Sequence, residues 1–133
     1  MERQTAQQMH YLDLGQVKKL AVRKKGETDF QPVHLEIVEI SPDVCCFERE
    51  GRQEFQVGEE LEFLFHIEDS CLSAGATIGW VAKCELLDDG YERRVWFTYG
   101  AEFAGELDTD FFQRIAGDPK KSKSLGPDCI ILN

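Results

Sequence analysis

From Glu60 to Phe103 apolar residues recur at every second position, the spacing of strands that bury one face. Leu61, Phe63, Phe65 and Ile67 alternate with Glu60, Glu62, Leu64 and His66. The next run sets Ile78, Trp80, Ala82, Cys84 and Leu86 on one face, which predicts Trp80 in the core and an outward position for its neighbours. Asp88-Asp89-Gly90 then gives a tight hairpin signal. In the return strand Val95, Phe97, Tyr99, Ala101 and Phe103 share one parity, and Arg94, Trp96, Thr98, Gly100 and Glu102 the other. Two long strands are therefore expected to pair antiparallel.

Upstream, Val17 to Lys25 and Val33 to Ile40 read as a strand pair around Gly26-Glu27-Thr28-Asp29, with a short strand from Val44 to Glu48. The apolar parity jumps from Val33, Leu35 and Ile37 to Val38 and Ile40, which suggests a bulge or a strand passing between environments. After Phe103, Asp108 or Thr109 is placed to cap a short helix presenting Phe111, Phe112 and Ile115. The expected fold class is all-β, a six-stranded antiparallel β-barrel closed by a short C-terminal α-helix. Residues 1–15 form an N-terminal segment, 16–116 the barrel domain, and 117–133 a flexible tail rich in Lys, Ser, Gly and Pro, within which Ile130 to Leu132 can still dock.

The 133 residues suffice for one domain with its own core. A formal charge of −10 opposes nucleic acid phosphates and anionic lipid over most of the surface. No run is long and apolar enough for a membrane helix, and Met1 to Leu20 lacks the apolar centre of a secretory signal. A cytoplasmic location is expected, with no membrane insertion and no nucleic acid polymer as partner. Five cysteines without CxxC spacing predict reduced, mostly buried thiols.

With the strand order laid out, Val17 to Ala116 resembles a PilZ domain. Val38-Glu39-Ile40-Ser41 is similar to the family's strand ending in Asp-x-Ser, and Val57-Gly58-Glu59-Glu60-Leu61 to the turn launching its fourth strand. Gly79-Trp80-Val81 and Tyr99-Gly100-Ala101-Glu102-Phe103 resemble its Trp-bearing strand and its Gly-x-x-Phe strand. The resemblance implies a PilZ-like barrel and a bacterial role either as a receptor for cyclic di-GMP or, in degenerate members, as an adaptor for motility and pilus machinery. The family's ligand motifs are Arg-x-x-x-Arg before the first strand and Asp/Asn-x-Ser-x-x-Gly after the second. Here the arginine positions fall on Leu12 and Gln16, and the second motif reads Glu39-Ile40-Ser41-Pro42-Asp43-Val44, which keeps Ser41 alone.

His10, His34 and His66 are scattered, without the spacing of a metal site or a nucleophile and its base, so neither catalysis nor a metal is expected. The expectation is a non-catalytic adaptor that contacts another signalling or motility protein and needs no cofactor. The alternative is a cyclic di-GMP receptor with a non-standard site at Ser41, Glu39, Arg23 and Lys24. Candidates for partner contact are Trp96, outward on its strand, with Leu64, and the basic stripe Lys19, Arg23 and Lys25. The competing reading of that stripe is a charged strand that discourages edge pairing.

Overall fold

The computed structural model describes residues 8–88, 92–120 and 129–132. Strands dominate: β1 (His10–Leu12), β2 (Val17–Lys24), β3 (Gln31–Pro32), β4 (Glu39–Ile40), β5 (Val44–Glu50), β6 (Glu60–Ile67), β7 (Ser70–Asp88), β8 (Glu92–Phe103), β9 (Ala116–Pro119) and β10 (Cys129–Leu132), with one helix, α1 (Thr109–Ile115). They form a curled antiparallel half-barrel in the order β3-β2-β6-β7-β8-β5-β4-β1-β9, with β10 on β7. The sheet thus counts ten strands among the described residues where six were expected. Five expected strands are present as β2, β5, β6, β7 and β8; the two short strands β3 and β4 stand in place of the sixth, and β1, β9 and β10, of three or four residues each, are additional. Such pieces are too short to show a period in sequence.

Alternation fixed the inward face of β6, where Leu61, Phe63, Phe65 and Ile67 are buried. It did the same in β8 for Phe97, Tyr99, Ala101 and Phe103. Their rings interlock with neighbours: Phe47 lies 5.3 Å from Tyr99 and 5.5 Å from Phe63, and Phe65 meets Phe111 of α1 at 5.7 Å. The Tyr99 hydroxyl accepts the Glu54 N–H at 2.9 Å, which satisfies the polar end of a fully buried ring. Asp108 caps α1 through its carboxylate, which accepts the Phe111 N–H at 3.2 Å. The β7–β8 register closes at Asp88 opposite Glu92, and the Asp89-Gly90 turn itself lies outside the described residues.

Trp80 departs from expectation. The β7–β8 register shifts between Ile78 and Trp80, so Gly79 adds one residue and every later side chain changes face. Val81 therefore enters the core at 1% exposure, while Trp80 lies half-buried on the outer face, opposite Gly100. A methyl group at Gly100 would sit inside the Trp80 indole, so the two residues fit as flat ring on bare backbone.

The segment read as a strand from Val33 to Ile40 is instead a 3-10 turn, Leu35–Ile37, between β3 and β4. The parity jump marks this turn and not a bulge, because a turn of three residues rotates the chain between two extended pieces. Between β2 and β3 the Glu27 N–H donates to Lys24 O at 3.0 Å, and Gly26 has φ +94°, the left-handed position a type II turn needs.

Both ends of the chain contribute to the sheet. β1 pairs with β4 and β9, and Asp13 N donates to Ile115 O at 2.8 Å. The tail from 117 onward, expected to be flexible, supplies most of β9 and all of β10; β10 pairs Cys129 to Leu132 with Cys84 to Val81. The open flank of β7 beyond β6 offers the ladder groups that these apolar residues take up.

Candidate functional site

Trp96 stands on the outer face of β8, opposite Cys84 on β7 and Glu50 on β5. Facing it is the 31–37 segment, tacked across by Arg49, whose Nη1 donates to Pro32 O at 3.1 Å. Together they bound a cleft of about 630 Å³, within the size range of ligand sites. Ile37 and Pro32 give it apolar surface, and His34, Glu48, Arg49 and Arg94 give it charge. Both arginines are matched by carboxylates: Arg49 to Glu54 at 3.3 Å and Arg94 to Glu50 at 3.2 Å. Burial, followed by the nearby Glu39 carboxylate, pushes the Glu48 carboxyl above its ordinary range, against the opposing pull of Arg94 and Lys120. The lining sets three carboxylates, Glu36, Glu48 and Glu50, against the two guanidiniums, so the cleft carries no excess positive charge.

Arg94 was legible as an outward residue two positions from Trp96. Arg49 was not, since it shares the inward parity of Phe97 on β8 and meets the cleft through the 31–37 segment, where it bonds Pro32 O. Leu64 does not join Trp96. It lies on β6 opposite Ala21 of β2 and Ser73 of β7, in a second groove that also holds Lys19.

The basic stripe of β2 lies in register with the acidic face of β6. Arg23 Nε is 2.7 Å from Glu62, Lys25 Nζ is 3.1 Å from Glu60, and Lys24 Nζ is 3.2 Å from Glu59. β2 is an interior strand between β3 and β6, so its charges serve cross-strand pairing more than protection of an edge. The Arg23 guanidinium also lies 4.3 Å from the Phe30 ring centre.

The four candidate ligand residues are not brought together. Ser41 is buried; its hydroxyl donates to Asp43 Oδ1 at 2.9 Å and accepts the Val44 N–H at 3.2 Å. Glu39 pairs with Lys120 at 2.8 Å. Arg23 and Lys24 sit on β2, which four strands separate from β4 in the sheet order.

The thiols differ from one another. Burial raises Cys45 well above its ordinary value and pushes Cys46 up to about 12, with Cys45 further affected by Cys46 and Cys46 by Glu39. Both are held as neutral thiols. Cys71 is exposed, its Sγ 3.2 Å from His66 Nδ1. Cys84 is disulfide-bonded, a correction to the expectation of reduced thiols throughout. The backbone register sets Cys129 opposite Cys84, a proximity that 44 intervening residues conceal in the sequence. Disulfides are rare in the cytosol except where transient or redox-sensing.

Among the described residues no group of three His, Cys, Asp or Glu side chains could hold a metal ion, and no helix is long and apolar enough to cross a membrane. Comparison with family models, curated proteins and solved structures finds no match to this chain.

Proposed function

We propose that this chain is a non-catalytic, PilZ-like regulatory adaptor that works by contact with another protein in bacterial cyclic di-GMP signalling or motility. The observation that carries the reading is the Trp96 cleft. An outward indole between paired arginines and carboxylates has the composition of a protein contact, where aromatic and Arg side chains supply most of the binding energy. The separation of Ser41 and Glu39 from Arg23 and Lys24 supports the same reading over a dinucleotide receptor. For Arg23 or Lys24 to hold a phosphate, each would first have to leave Glu62 or Glu59.

The test has two arms. Calorimetry with cyclic di-GMP at physiological salt is expected to show no saturable heat. Affinity capture from the bacterial source, with the wild-type chain and with Trp96→Ala and Arg94→Glu as baits, is expected to recover one partner that both variants lose while keeping their circular dichroism spectra. Low-micromolar dinucleotide binding that Arg23→Ala abolishes would overturn the adaptor in favour of the receptor.

A further inference from the structure

The second groove lies over the outer faces of β2 and β6, walled by the 30–36 segment, and encloses about 570 Å³. Its floor is apolar, with Ala21 and Leu64 paired across the two strands and Phe30 and Leu35 along the side. One end is cationic. A register shift between Val17 and Lys19 leaves both Lys18 and Lys19 exposed, and Lys19 lies directly opposite His66. The next outward pair along the two strands, Arg23 and Glu62, is an ion pair with no net charge.

The charge at the open end is not neutralised. Among the described residues Lys18, Lys19 and Arg52 are the only Lys or Arg side chains outside a salt bridge, and two of the three line this groove. Lys18 donates to the Gly15 carbonyl at 3.1 Å, which leaves its charge uncompensated. Glu36 is the one carboxylate among the lining residues. In a chain of net charge −10, two unpaired lysines beside an apolar floor form an isolated cationic site with a matching apolar track.

We propose that this groove binds a free amphipathic carboxylate of the fatty-acid type. The headgroup meets Lys19 and His66, and the chain lies over Ala21 and Leu64 towards Phe30. From Lys19 to Arg23 the strand runs roughly 13 Å at about 3.3 Å per residue, so the track suits a medium-length chain. A single molecule fits better than a bilayer surface, because the acidic remainder of the protein is repelled by anionic lipid.

The experiment is calorimetric titration of the full chain with sodium dodecanoate below its micelle concentration, with dodecyltrimethylammonium in parallel. Saturable one-to-one binding of dodecanoate is expected, with little binding of the cation. Loss of one charge-assisted contact in Lys19→Glu should weaken dodecanoate binding by about tenfold or more. Leu64→Gln, at a half-exposed outward position, should weaken it as well, and backbone amide shifts on titration should map to β2 and β6. The proposal is overturned if the cationic amphiphile binds equally well, if Lys19→Glu leaves the affinity unchanged, or if phosphatidylglycerol vesicles bind in a Lys19-dependent way while dodecanoate does not.

Discussion

Replacing Gly100 with Ala tests the packing of Trp80 most directly. An added Cβ would coincide with Nε1, Cε2 and Cδ1 of the Trp80 indole, and β8 cannot retreat, because at Gly100 it is paired on both sides, with Cys46 of β5 and Trp80 of β7. The indole is half-buried on the outer face, so it can swing into solvent. A tryptophan buries on the order of 150–250 Å², and lifting a half-buried one exposes about 100 Å². At about 25 cal/mol per Å² this costs about 2.5 kcal/mol. Alanine recovers roughly 0.5–1 kcal/mol over glycine in a strand interior, leaving a net loss of about 1.5–2 kcal/mol. In a Trp80→Ala background the methyl group has room, and the same substitution should stabilise by that 0.5–1 kcal/mol. The sign therefore reverses, with a coupling of about 2.5 kcal/mol across the double-mutant cycle. Urea unfolding followed by far-ultraviolet circular dichroism measures all four proteins without depending on tryptophan fluorescence. An equal cost of Gly100→Ala in both backgrounds would refute the assignment of Trp80 to the outer face against Gly100.

Asp108→Ala should destabilise by about 0.5–2 kcal/mol through loss of the α1 cap, read as a lower urea midpoint at unchanged slope. Glu48→Gln should stabilise at pH 7, because burial and Glu39 raise this carboxyl's folded pKa and so penalise its charged form. That gain should shrink as pH falls through the raised folded value and vanish below the unfolded one, where glutamate is protonated in both states; thermal melts from pH 7 to 3 follow it. Alkylation of the native protein with iodoacetamide should mark Cys71 first, with Cys45 and Cys46 reacting only after unfolding and Cys84 only after reduction, as peptide mass spectrometry would show. Trp96→Ala removes a partly buried outer-face ring and should cost no more than the roughly 2.5 kcal/mol worked out for Trp80, so the chain stays folded in urea titration while partner capture is abolished.

The sequence by itself determined the β architecture, the inward faces of β6 and β8, the β7–β8 pairing and the cap of α1. Each of these rests on local chemistry: a period of two exposes one face to water, and a carboxylate three residues ahead of a free N–H caps it. Trp80, Cys84 and the basic stripe were decided elsewhere. One extra residue at Gly79 reverses the facing of everything after it, and parity counted along a strand cannot register a bulge that exists only relative to its partner. The cations of β2 and the residue after it looked available until β6 and the residue before it set a carboxylate beside Arg23, Lys24 and Lys25, while Lys18 and Lys19 were left unmatched. The Trp96 cleft needed the 31–37 segment to cross from β3 to β4 and be tacked by Arg49, and β10 needed an open flank on β7. Pairing between distant segments is set by the packing of the whole sheet, so sites built from it emerge only when the chain has folded.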